Sequence, residues 1–304
     1  MNTNKTLTIF TPTYNRKHTL VRLYESLKLQ ICRDFKWLII DDGSTDGTMD
    51  LANIWIDKKE LEIDYIFKEN GGLYTGYNTA YSIIDTELCV CIDSDDFMPD
   101  SAVEIIINEW KRRGAEMYAG LIGLDYDAKS GMPIGGKFPK SLRECYFSDL
   151  YTRKIHIGDT KPVLRTELMR NAGPMIGYRN EKHLNPVYLM LKVCDDYPLL
   201  VVNENLCIVD YQSPCESMSA NIFSQYILSP NSFCMLRQLE MKLKHNSLKN
   251  RIRVCAHYIA TSIIAKNPTF IQDSPLPMLT IATLPIGLLL YFYIIIRANQ
   301  YLRK

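Results

Sequence analysis

The chain has 304 residues, 47% of them apolar, with 35 Lys and Arg set against 34 Asp and Glu. That length supports one large core or two modest ones. A formal net charge of +1 excludes nucleic-acid binding driven by bulk electrostatics. Nine cysteines, none in a CxxC pair and several inside apolar runs, give neither a disulfide framework nor a zinc site. With the polar start MNTNKT, they point to a reducing cytoplasmic compartment.

Up to about residue 125, apolar β-branched runs recur at 7–10, 37–40, 63–67, 88–92 and 118–124. Between them lie helical spacings. Leu20, Leu23 and Leu27 form one stripe and Leu51 with Ile54 a second, while 77–84 and 103–110 supply two more. Such alternation predicts an α/β fold with a mostly parallel, Rossmann-like sheet flanked by helices. Beyond residue 130 the regularity fails. GMPIGGKFP (131–139) reads as a loop, 150–230 mixes short strands with turns, and 232–266 has helical spacing. This second part is expected to cover the open edge of the sheet. From 276 to 296 the only polar residues are two threonines and two tyrosines, and Arg297, Arg303 and Lys304 follow. Pro277, Pro285 and Gly287 oppose one straight spanning helix. The segment is expected to lie at a membrane interface, with packing on the domain as the competing reading.

Parallel sheets bind ligands at the carboxyl ends of their strands, and the polar motifs fall there. TPTYNR (11–16) follows the first run, DDGSTDGT (41–48) the second, KENGG (68–72) the third and DSDD (93–96) the fourth. In DDGSTDGT, Ser44 or Thr45 is expected to cap the next helix with Asp46 in its first turn. Capping leaves the paired Asp41 and Asp42 unexplained. A carboxylate there can accept a pyrimidine N–H, a role given to Asp42. Tyr14 sits where its ring can stack on a base, although most such tripeptides are simple turns. In DSDD, Asp93 and Asp95 lean the same way in extended backbone, and Asp96 is a candidate cap for the helix beginning near 100–101. Clustered hard oxygen ligands suit Mg²⁺ or Mn²⁺ on a diphosphate; a solvated acidic turn is the bland alternative.

The ordered set TPTYNR, DDGSTDGT, ENGG and DSDD resembles the inverting family 2 glycosyltransferases of the GT-A fold, strongly over residues 6 to about 125 and weakly to about 230. The resemblance implies a UDP-sugar donor. Tyr14 and Asp42 would hold uracil, Asp93 the ribose and Asp95 the metal, with Asp93 and Asp96 as further metal ligands. Pro12, Asn15, Arg16, Asp41, Lys68, Asn70, Gly71, Gly72, Asn78 and Ser94 would complete the nucleotide site. GDTKPVLRTELMRN (158–171), NEKHLNP (180–186) and SMSANI (217–222) are similar to members acting on bacterial surface polysaccharides. By position Glu181 is the expected catalytic base, with Asp195 or Asp196 as fallback because Pro186 replaces the family's second acid. Leu73 replaces a basic residue common after NGG, which passes diphosphate neutralisation to Lys68 or Arg179.

The resemblance divides the chain into a nucleotide-sugar half (1–125), an acceptor half (126–230) and a helical C-terminal region (231–304). It implies transfer to a glycan or lipid-linked glycan at the inner face of the cell membrane. Two other readings compete. Nucleotidyltransferases use a glycine-rich basic loop after the first strand, which TPTYNR lacks, and a non-catalytic nucleotide-binding scaffold would not turn over a UDP-sugar.

Overall fold

The computed structural model describes residues 5–152, 155–211 and 222–302. The chain enters through β1 (Leu7–Thr13), which is buried along its whole length. Burial on both faces is what a central parallel strand requires, and it explains the unbroken apolar run. Helices and strands then alternate: α1 (Lys17–Lys28), β2 (Phe35–Asp41), α2 (Thr48–Lys58), β3 (Ile63–Phe67), α3 (Leu73–Ile83), β4 (Leu88–Cys91), α4 (Ala102–Arg113) and β5 (Gly120–Asp127). The second part contributes β6 (Glu144–Cys145), α5 (Phe147–Thr152), β7 (Thr160–Arg165), α6 (Thr166–Ala172), α7 (Val187–Val193) and β8 (Leu199–Val209).

Among the described residues these eight strands form one sheet, in the order β3-β2-β1-β4-β7-β5-β8-β6. The β1–β2, β2–β3, β1–β4 and β5–β8 pairs are parallel. β7 runs antiparallel between β4 and β5. The second part covers the open edge of β5 with β8 and β6, as expected from sequence, and it also completes the sheet from within by inserting β7. Pro162, which cannot donate to a ladder, sits in this inserted strand opposite Ile122 and masks it in the sequence.

Alternation along the strands builds a core on each face. Leu7, Ile9, Trp37 and Ile39 pack with α1, α2 and α4, where Tyr24 stacks on Trp55 with centroids 4.3 Å apart. Phe10, Leu38 and Ile40 pack with Ala80 and Tyr81 of α3. Each such buried side chain is worth roughly 1.5–3 kcal/mol. The α1 stripe of Leu20, Leu23 and Leu27 is buried as its spacing predicts. In α2 the buried face is Thr48, Ala52 and Trp55, with Leu51 only partly buried and Ile54 outward, because the large Trp55 ring takes the position over the sheet.

The C-terminal layer comprises α8 (Ile222–Leu228), α9 (Pro230–Lys242), α10 (Leu248–Ile264), α11 (Phe270–Asp273), α12 (Pro277–Ala282) and α13 (Leu284–Leu302). The apolar 276–296 stretch is broken at Thr283, and no described helix is long and apolar enough to cross a membrane. One face of α13 packs on α10, where Gly287 meets Ile259 so closely that a Cβ would lie 2.5 Å from it. The outer face of α13 leaves Leu289 and Phe292 exposed, and Met278 of α12 is exposed as well. The SMSANI motif, apart from Ile222, lies outside the described residues.

Candidate functional site

Register fixes where the motifs meet. Thr13 pairs with Asp41, Asp41 with Phe67, and Phe10 with Cys91, so the loops after β1, β2, β3 and β4 leave the same edge. The first two are stitched together. Asn15, at a φ of 53°, donates its N–H to Ser44 Oγ at 2.8 Å, and its Oδ1 accepts the Thr45 N–H at 2.8 Å. Ser44 and Thr45 thus tie two loops instead of capping α2. Asp46 takes over the helix ends, accepting the Thr48 N–H at 3.1 Å and the Lys17 N–H of α1 at 2.9 Å. Tyr14 stands beside this stitch with half of its surface exposed (50%). Pro12 lies at the end of β1 against Gly76 of α3.

The two aspartates of the β2 end separate in role. Asp41 is fully buried, accepting the Ser44 N–H at 2.7 Å and the Tyr65 hydroxyl at 2.5 Å; it shapes the loop and faces no solvent. Asp42 holds the next loop. Its Oδ1 accepts the Gly71 N–H at 3.0 Å and pairs with Lys68, and its Oδ2 accepts the Gly72 N–H at 2.9 Å. A carboxylate oxygen accepts two donors, so Oδ2 retains one lone pair. Lys68 Nζ also donates to the Glu69 carbonyl at 2.6 Å and to Thr75 Oγ1 at 2.8 Å. All three of its protons are therefore engaged within the loop, which differs from the expectation of a cation open to a diphosphate. Asn70 donates to the Asp42 carbonyl at 2.8 Å and accepts from Lys182 Nζ at 2.7 Å, while Gly72 lies under the Lys182 carbonyl.

The DSDD turn follows β4. Asp93 is exposed, Ser94 is buried, and Asp95 lies 3.9 Å from Arg16 at the start of α1. Burial, then the charge of Asp93, raises the Asp95 carboxyl above its ordinary range. Asp96 departs from expectation: it neither caps α4 nor faces the rim. The N-cap of α4 is Ser101, without a side-chain bond, and Asp96 points inward to Lys161 of β7, Nζ to Oδ2 4.0 Å. Asp125 at the end of β5 is buried 3.7 Å from the same ammonium. Burial raises both carboxyls. It also pushes Lys161 downward, but Asp125, with Asp96 and Asp93, outweighs burial and holds the ammonium charged. Among the described residues no three His, Cys, Asp or Glu side chains are placed to hold a metal alone. Asp93 and Asp95, two hard-oxygen donors at a solvent-facing tip, fit an ion that takes its remaining ligands from a diphosphate and water.

Glu181 has a different setting from that of an open base. Its Oε1 accepts the Asn231 N–H at 3.1 Å and Asn231 Nδ2 at 2.8 Å; its Oε2 accepts the Ser232 N–H and hydroxyl, both at 2.7 Å. Four donors fill the carboxylate at the first turn of α9, where a helix N-terminus favours negative charge. Asp195 accepts the Lys244 N–H at 3.0 Å and Asp196 pairs with Lys244 Nζ, so both fallback acids tie α7 to the segment after α9. Asn78 exchanges two hydrogen bonds with the Met175 backbone, at 2.8 and 2.9 Å, and so anchors the neighbouring 173–178 loop. Arg179 is exposed on the chain leading to Glu181.

A family model described as "Glycosyl transferase family 2" matches residues 8–182, more than half of the chain. The chain belongs to glycosyl transferase family 2. An Escherichia coli chondroitin synthase is 31% identical over 106 residues, which is 35% of this chain and 15% of that protein. The chain thus spans about one-sixth of the length of the first curated relatives it matches. In fold it is similar to S. aureus TarS 1-349 in complex with UDP-GlcNAc, with a TM-score of 0.63 and 17% identity over 98% of this chain and 91% of that one. A Pyrobaculum calidifontis mannosyltransferase in complex with GDP-Man and Mn²⁺ gives a TM-score of 0.53 and 15% identity over 94% and 88% of the two chains. Within this family 2 domain, sequence reasoning missed Arg22, Asp125 and Lys161. Asp125 carries the signal used for the earlier motifs, an acid ending an apolar run, whereas the TKPVLR stretch around Lys161 gives no such signal.

Proposed function

We propose that the protein transfers a sugar from a UDP-sugar to a glycan acceptor, with a divalent cation and inversion at the anomeric carbon. The observation that carries this reading is the shared rim: the β1 and β2 loops are stitched through Asn15, and the β1 and β4 loops meet at Arg16 and Asp95. Tyr14 offers a ring face to the uracil, and the remaining lone pair of Asp42 Oδ2 accepts its ring N–H. Asp93 binds the ribose, and Asp93 with Asp95 holds Mg²⁺ or Mn²⁺. When bound, such an ion neutralises charge on the departing diphosphate. Arg16, 3.9 Å from Asp95, adds a guanidinium on the same side. The TarS complex with UDP-GlcNAc and the polysaccharide synthases among the relatives support the donor and acceptor classes. The acid-free stretch after Asp273, with the exposed apolar face of α12 and α13 and the basic residues that follow, is assigned to a membrane surface bearing a lipid-linked acceptor.

The test is UDP release from UDP-glucose, UDP-galactose and their N-acetyl forms, with and without Mn²⁺. At least one donor is expected to turn over only with the metal, and Asp95→Ala to lower that rate by roughly 100-fold or more. Absence of UDP release from every donor, or full activity in Asp95→Ala, would overturn the proposal.

A further inference from the structure

Lys161 lies on β7, the antiparallel strand inserted between β4 and β5, with its side chain only 10% exposed. Its ammonium faces two buried carboxylates from different parts of the chain, Asp125 at 3.7 Å and Asp96 at 4.0 Å. Cys207 Sγ of β8 lies 3.8 Å from the same Asp96 oxygen. A buried ion group of this kind gains little stability over apolar packing of equal volume, because desolvation of the charges offsets their attraction. Its placement needs another reason, and the turn above it supplies one.

The DSDD turn is attached at several points. The Asp96 N–H closes it on the Asp93 carbonyl at 3.0 Å. Phe97 exchanges two backbone bonds with Ile208, at 3.1 and 2.7 Å, and Arg22 donates to the Asp95 carbonyl while pairing with Asp210 at 2.6 Å. These contacts hold the backbone on either side of Asp96. The side chain of Asp96 reaches inward, and Lys161 is the cation it meets there. The same ammonium offsets repulsion among Asp93, Asp96 and Asp125.

We infer that Lys161 is a positioning residue: by gripping Asp96 from inside the sheet, it fixes the turn that presents Asp93 and Asp95 to the metal-bound diphosphate. The inference rests on the function proposed above. Lys161 lies behind the turn, against Asp96 and Asp125, and acts through Asp96.

The experiment compares wild type, Lys161→Met and Lys161→Arg by UDP binding at varied Mn²⁺, by UDP binding without metal, and by donor-hydrolysis kinetics. Lys161→Met is expected to raise the half-saturating Mn²⁺ concentration about tenfold. Metal-free UDP binding and kcat at saturating Mn²⁺ should stay within about threefold, and Lys161→Arg should restore part of the loss. The double variant Lys161→Met/Asp125→Asn keeps the buried net charge unchanged and carries the same test should the single variant fail to fold. Manganese titration curves of the Met variants that superimpose on wild type overturn the role of Lys161 alone. A wild-type protein with no manganese-dependent UDP binding overturns both this inference and the reading beneath it.

Discussion

Replacing Glu181 by Gln separates a brace from a base. In the structure both oxygens accept two donors each from Asn231 and Ser232. Gln keeps one acceptor oxygen and turns an NH₂ group toward the other pair of donors, so two bonds to a buried charge are lost. At about 1.5–3 kcal/mol for a charge-assisted bond, the loss is at least roughly 3 kcal/mol. The missing negative charge at the α9 N-terminus adds about 0.5 kcal/mol. For a chain of 304 residues, that lowers the melting temperature by roughly 5–6 °C. Thermal and urea unfolding measure the stability, and UDP release at 15 °C, far below the transition, measures the chemistry. A brace loses stability and keeps most of its turnover in the cold. A general base instead loses about 10²–10⁴ in kcat with an unchanged melting temperature. That second pattern would refute the structural reading of Glu181.

Gly72 sits at φ 93° and ψ 162°, a backbone region open essentially to glycine, and an added Cβ would lie 2.5 Å from the Lys182 carbonyl. Gly72→Ala should therefore cost about 1–3 kcal/mol and weaken UDP binding, because Asp42 is held by this loop; unchanged urea unfolding and unchanged UDP Kd would contradict it. Burial, then Arg237 and Arg253, push His257 down to about 3 from its ordinary 6.5. The folded state binds this proton more weakly than the unfolded chain, so the contribution is complete above pH 6.5 and is lost as pH falls from there toward 3. By pH 5 the loss is about 2 kcal/mol. The stability gap between wild type and His257→Gln should narrow by that amount between pH 7.5 and 5, and parallel profiles would remove the argument.

Much of the rim was legible before any coordinates. Buried strands need apolar residues on both faces, so the runs at 7–10, 37–40 and 88–92 announce themselves, and the polar residues at their ends mark one edge of a parallel sheet. The stripe of α1 and a helix beginning near 100–101 follow from the same short-range periodicity. What local pattern does not encode is the direction of a single polar side chain. Asp93, Asp95 and Asp96 are near neighbours in one motif, yet the first is exposed, the second faces Arg16 and the third is buried on Lys161.

Local periodicity and strand-end chemistry, which depend on residues within a turn or two of each other, determined the alternation of elements and the edge at which they open. Tertiary pairing decided the rest. β7 reaches β4 across some 70 residues and brings Lys161 beneath Asp96; the start of α9 reaches Glu181 across 50 residues and fills its carboxylate. Such contacts depend on sheet register and helix docking summed over the whole chain, and no short window of sequence contains them.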